Sequence, residues 1–222
     1  MRRRKFIALL GAAAAAWPVA GRAQQSGRMR HIGVLMNVAE NPEQQSNVDA
    51  FLQVLQQLGW TDGRNVRIET HWAGAQALDI RRQAAELVAL APDVIFATGT
   101  AAMEPLLQAT RSVPIVFVNV ADPVGAGFVD SLSRPGGNAT GFMQFEYGLS
   151  GKWLELLKQI APGVTRAAVL RDPAITSGIG QFAVIQSVAP SVGVEVSAIN
   201  VRDAGEIERA RSPLSRALRM AA

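Results

Sequence analysis

Residues 31–210 read as an α/β fold: a parallel sheet with helices on both faces. Three observations predict it. Short apolar runs bounded by proline and glycine recur along the chain, as the buried strands of parallel sheets do. Segments of about ten residues with helical spacing separate them, long enough for crossover connections. The same rhythm restarts after residue 149, which predicts a complete first lobe at 31–149 and a partial second lobe at 150–210.

The elements follow in order. HIGVLM at 31–36 is a short buried strand. Asn41, Pro42 and Glu43 supply an N-cap, a proline at the first helical position and an acid in the first turn. Val48, Phe51, Leu52, Leu55 and Leu58 then recur at helical spacing up to Gly59. Residues 66–72 alternate Val66, Ile68, Thr70 and Trp72 against Arg67, Glu69 and His71, the pattern of a half-buried edge strand. A helix at 79–90 places Ile80, Ala84, Leu87 and Leu90 on one face. Strands at 94–97, 115–120 and 140–143 and helices at 101–109 and 123–132 complete the first lobe. In the second, Ser150 caps a helix carrying Trp153, Leu156, Leu157 and Ile160, followed by strands at 167–170 and 194–199, a helix at 179–188 and another starting at Glu206.

Residues 1–23 read as an export address. Arg2 to Lys5 form a basic start, 7–20 an alanine-rich apolar stretch, and Gly21 and Ala23 put small residues at −3 and −1 of a cut before Gln24. The stretch is shorter than the ~20 residues of a membrane span. Arg3 and Arg4 followed by Lys5, Phe6 and Ile7 fit the twin-arginine pattern, and an ordinary secretory signal shares the same features. A polar linker at 24–30 follows. These 23 residues hold five basic side chains and no acid, which accounts for much of a sequence pI near 10.3; beyond them seventeen basic residues face eighteen acidic ones. Such a body does not read as a nucleic-acid-binding surface. With no cysteine, disulfides, thiolate metal sites, cysteine nucleophiles and an N-terminal lipid anchor are excluded.

In an open parallel sheet, ligands bind beyond the carboxyl ends of the strands, where helix N-termini offer free N–H groups to an anion. The candidate exits are Asn37, the Thr98–Gly99–Thr100 segment and Ala121–Asp122, with Arg171 and Asp172 facing them from the second lobe. Each has two readings. Asp122, Asp172, Thr98 and Thr100 are helix-capping types as well as ligand contacts, Gly99 suits a tight turn, and Arg171 is either a solvated charge or a carboxylate clamp. Phe142, Phe145 and Tyr147 suit either an apolar pocket or core and hinge packing. His31 and His71 lack a second ligand at helical spacing, so no metal or cofactor is expected. No nucleophile elbow, P-loop or dinucleotide fingerprint is present, so no enzymatic activity is expected either.

RRRKFIALLGAAAAAWPVAGRAQQ, HIGVLMN, QQLGWTDGRNVRIETHWA, ELVALAPDVIFATGT, VPIVFVNVADPVGAGFVDSLSRPGGNATGF and SGKWLELLKQIAP resemble the ABC-transporter substrate-binding family that includes the tryptophan/tyrosine-type proteins. The resemblance implies a type I periplasmic binding protein: two α/β lobes, a hinge, and a small organic solute such as an amino acid or aromatic acid closed between them. It implies a periplasmic monomer, without lipid anchor or cofactor, that hands its solute to a membrane permease. The first-lobe pocket would use Asn37, Thr98, Gly99, Thr100, Ala121 and Asp122, and the second Arg171 and Asp172. Met143 stands where the family carries a small hydroxyl residue. Family members continue past this ending, so 211–222 reads as the atypical tail of a truncated product, one that holds its solute poorly. An exported sensor or partner-binding module, a non-functional product and an exported hydrolase are the alternatives.

Overall fold

The computed structural model describes residues 28–209 apart from Ala75 and Ala204. The export signal (Arg3, Arg4, Phe6, Ala23) and the 211–222 tail lie outside the described residues.

The first sheet has five parallel strands in the order β2-β1-β3-β4-β5: β1 (Arg30–Met36), β2 (Val66–Trp72), β3 (Val94–Thr98), β4 (Ile115–Val120) and β5 (Ala139–Met143). The chain runs outward from β1 to β2 and then crosses to β3 on the other side. This puts the topological switch point between the exits of β1 and β3. Helix α1 (Pro42–Gln57) starts as its sequence dictates: Asn41 Oδ1 accepts the Gln44 N–H at 2.9 Å, with Pro42 in the first turn. Helices α2 (Ala77–Ala89) and α3 (Thr100–Ala109) cover one face of the sheet. There Ile80, Ala84, Leu87, Met103 and Leu106 bury Leu35, Ile95, Ala97, Ile115 and Phe117. Close approach requires a glycine here, because a Cβ on Gly33 would stand 2.8 Å from Leu87 Cδ1. Leu90, expected on the same buried face, is 40% exposed because it lies past the end of α2.

The opposite face carries a helix too, as expected: among the described residues α1 packs there, joining Val34, Met36, Ile68 and Phe96 through Val48 and Phe51. Phe142 of β5, on the same side, remains 74% exposed. The helix expected at 123–132 is absent. Gly125 and Gly127 interrupt it, and backbone N–H groups of 126 and 128 fold back onto Asp122 and Pro123 as successive turns. Val129 still reaches the core from this loop.

The second lobe holds α4 (Leu149–Ile160), β6 (Arg166–Arg171), α5 (Thr176–Val188), a 3-10 turn at Ala189–Val192 and β7 (Glu195–Asn200). Strands β6 and β7 pair in parallel as a separate two-stranded sheet. Leu154, Ile185, Ala189 and Val194 form its core on one face. Ser150 does not cap α4: Gly148 precedes the helix, and Ser150 is its second residue, fully buried with no partner for its hydroxyl among the described residues. Leu154 is the buried anchor of α4, whereas Trp153 and Leu156 are about half exposed and Ile160 is largely so. A helical turn at 205–209 follows, with Asp203 Oδ1 accepting the Glu206 N–H at 2.8 Å. No described helix is long and apolar enough to cross a membrane.

Candidate functional site

The strand exits of the first lobe and the start of α5 in the second lobe meet across a cleft. At the switch point the Asn37 amide lies against Gly99, filling the space a Cβ would take, and Gly99 has φ +78°. Both facts demand glycine there. Thr98 Oγ1 donates to Asn37 Oδ1 at 3.4 Å, and Thr100 Oγ1 accepts the Ala121 N–H at 3.0 Å. The two threonines therefore tie neighbouring exits together.

Two cavities flank the Thr98–Gly99–Thr100 segment. The first, about 410 Å³, opens beside α1 and is lined by Asn37, Gln44, Asn47, Thr98 and Asn119 over stacked Phe51 and Phe96. The second, about 60 Å³, lies between the lobes. The first turns of three helices bound it: Ala77, Ile80 and Arg81 of α2, Thr100, Ala101 and Glu104 of α3, and Ala174 to Thr176 at the start of α5, with Asp172 beside them. The N-terminal dipole ends of α2, α3 and α5 thus converge on one space. Arg81 makes no ion pair among the described residues, whereas Glu104 accepts from Gln108 and Asp172 from the Ala174 N–H.

The remaining expected residues sit apart from this cavity. Asp122 has φ +39° and grips the connection between the lobes: Oδ1 accepts the Gly125 N–H at 2.7 Å and Oδ2 the Tyr147 N–H at 3.0 Å. Ala121 is buried behind it. Arg171 donates to Asn200 Oδ1 at 3.0 Å and stacks 4.6 Å over Phe182, at the end of an apolar groove of about 580 Å³ along β6. That groove runs beside the second sheet rather than across the strand exits.

Two features escaped the sequence reading. Arg81 looks like any solvated helix charge. Tyr147, expected in an apolar pocket or in core and hinge packing, is buried against Gly180. Burial, foremost, pushes its phenol above the ordinary value near 10.0; the Thr176 hydroxyl opposes this and the Asp122 carboxylate adds to it. The pairing of β1 with β2 also brings both histidines to Glu69, with His31 Nε2 at 3.7 Å and His71 Nε2 at 3.6 Å. Among the described residues no group of three or more acidic or histidine side chains is placed to hold a metal.

Two parallel α/β lobes with a cleft at the strand exits define the type I periplasmic-binding fold. The profile of the ABC transporter substrate binding protein family matches residues 31–218, and the chain belongs to that family. The family is one of solute-binding proteins rather than enzymes. The chain is similar to a tyrosine-binding protein of Clostridioides difficile, 28% identical over 189 residues that span 85% of this chain and 54% of the relative. It thus covers about half the length of that protein. Among solved structures it resembles a conserved domain protein of Vibrio cholerae, with TM-score 0.70 and 25% identity over 82% of this chain and 61% of that one. It also resembles an ABC domain in complex with L-Trp from Streptococcus pneumonia, with TM-score 0.68 and 25% identity over 81% and 60% of the two chains. A leucine binding protein from Thermotoga maritima shares the fold at 14% identity and TM-score 0.58 over 83% and 53% of the two chains.

Proposed function

We propose that this protein is the solute-binding component of an ABC importer and that its solute is a small carboxylate, an α-amino acid above all, held between the lobes. The observation that carries the reading is the convergence on the interlobe cavity of three helix N-termini and Arg81, which has no ion pair among the described residues. Helix N-termini and a guanidinium favour a carboxylate, and Glu104 and Asp172 on the same wall suit an ammonium. The cavity holds about 60 Å³, the space of roughly two waters, so the lobes must part to admit a solute. Relatives with tyrosine or L-Trp in their names support the amino-acid class. Asn37, Thr98, Gly99, Thr100, Ala121, Asp122, Arg171 and Asp172 form or support the two walls, and 31–149 and 150–210 are the two lobes. The protein works as a periplasmic monomer that meets a membrane permease, exported by the signal at 1–23.

Calorimetric titration of the full chain with L-tyrosine, L-tryptophan, L-leucine and benzoate tests the reading, carried into the millimolar range. Binding is expected for at least one carboxylate, and Arg81→Gln should weaken it roughly tenfold to a hundredfold, the worth of a charge-assisted hydrogen bond. Equal affinity for the carboxamide analogue, or no binding of any carboxylate, would sink it. Export is tested separately: Arg3→Lys with Arg4→Lys keeps the charge, so retention in the cytoplasm identifies the twin-arginine route and unchanged delivery the general one.

A further inference from the structure

Tyr147 is the chain's single tyrosine and stands where the connection enters the second lobe. Asp122 holds its backbone N–H from the first-lobe side. Its ring fills a notch in α5, where a Cβ on Gly180 would overlap the ring edge. The residue is 8% exposed, and its hydroxyl finds no hydrogen-bond partner among the described residues. Thr176, one helical turn before Gly180, is in the same state. Its Oγ1 is buried without a partner, although the residue itself lines the interlobe cavity. The two hydroxyls are neighbours, because Thr176 stands one turn before the glycine notch that holds the ring, yet neither has the other within hydrogen-bond geometry.

Folded proteins pair nearly all their buried hydroxyls, and an unpaired one forgoes the bonds it makes in water. Two such groups side by side at the edge of a ligand cleft await a third. We infer that Tyr147 and Thr176 form a hydrogen-bonding subsite for a neutral hydroxyl of the solute, selecting hydroxylated carboxylates over their deoxy counterparts. The inference rests on the solute-binding reading of the cleft. Each hydroxyl both donates and accepts, so a third hydroxyl satisfies both. The Asp122 carboxylate close by disfavours an anion at this end, which leaves the solute's carboxylate to Arg81 and the helix N-termini. A solute lacking the hydroxyl would leave both protein groups unpaired, which is how a polar site rejects an isostere.

The test titrates two matched pairs, L-tyrosine with L-phenylalanine and p-hydroxybenzoate with benzoate, into the full chain and into Tyr147→Phe and Thr176→Val. The chain's one tyrosine, carbon-13-labelled, is followed by NMR. The wild type should prefer the hydroxylated member of at least one pair by about tenfold. Each variant should reduce that preference to about twofold or less, and a circular dichroism spectrum and cooperative melt matching the wild type show that it is folded. The labelled resonance should move with the hydroxylated probe and not with its partner. A buried water satisfying both groups instead would give no preference and a silent resonance, and either result overturns the inference, as does a preference that survives both substitutions. If no carboxylate binds the wild type, the solute-binding reading fails and takes this inference with it. Binding without hydroxyl preference overturns this inference alone.

Discussion

Asp122→Ala isolates the group that fastens the lobe connection. The carboxylate accepts two backbone N–H groups, from Gly125 at 2.7 Å and Tyr147 at 3.0 Å. Hydrogen bonds to a charged group contribute about 1.5–3 kcal/mol each. Asp122 is half-buried, so the lower figure applies and the pair contributes about 3 kcal/mol. Alanine gains nothing in return, because it inherits the φ of +39°. Asp122→Gly loses the same bonds but removes the left-handed cost of about 1–2 kcal/mol. At about 2–4 °C per kcal/mol for a unit of this size, calorimetric melting of the full chain should fall by about 6–12 °C in the alanine variant. Glycine should recover at least about 2 °C of it. An alanine variant melting within about 1 °C of wild type, or a glycine variant below alanine, would refute the assignment.

Two further outcomes follow from packing and titration. Gly141→Ala should lower the melting temperature by roughly 2–12 °C through overpacking, because its Cβ would meet the Phe117 backbone across the β4–β5 pair, whereas Gly137→Ala, with open space, should stay within about 1 °C. Tyr147 should ionise above the 10.0 of an unfolded tyrosine when its near-ultraviolet absorbance is titrated. Because the folded value is raised, its contribution to stability is full below pH 10.0 and fades as pH climbs through the folded value, so Tyr147→Phe should flatten the loss of urea stability above that pH.

The strands and the start of α1 were legible because local rules decide them. Apolar runs such as those at 94–97 and 115–120 leave little choice, and Asn41-Pro42-Glu43 is a cap with one reading. The 123–132 segment misled because Val124, Phe128, Val129 and Leu132 mimic helical spacing, while Gly125 and Gly127 decided against it. The switch-point contact of Asn37 with Gly99 was within reach, since strand exits follow from topology. The burial of Tyr147 at the lobe connection was within reach too, since its apolar surroundings suit core and hinge packing. The roles of Arg81 and Thr176 were not. They depend on how the second lobe docks on the first, a packing that spans about seventy to a hundred residues of sequence and leaves no local periodicity.

The two lobes should also differ in stability, and the reason lies in what each sheet buries. Strands β1, β3 and β4 each have neighbours on both edges, and α2 and α3 seal one face, so Leu35, Ile95, Ile115 and Phe117 are at most 1% exposed. Strands β6 and β7 have one neighbour each among the described residues. Their outer face carries Ala168, Leu170 and Ile199, and Leu170 remains 46% exposed. On the helical side Leu156 and Ile160 add 51% and 82% exposure. The first lobe exposes Leu58, Leu78 and Phe142 as well, but no large apolar side chain in β1, β3 or β4 is exposed, so the difference falls on the strands: each one left in water forgoes about 1.5–3 kcal/mol. Native-state hydrogen exchange should find β6 and β7 opening at a free energy at least about 2 kcal/mol below β1, β3 and β4, a protection difference of roughly thirtyfold. A carboxylate bridging Arg81 and the start of α5 should narrow that gap, because it binds the closed arrangement and not the opened one. Equal protection across both sheets without a solute would mean the lobes unfold as one unit, and that docking across the cleft contributes more than the second lobe's own core.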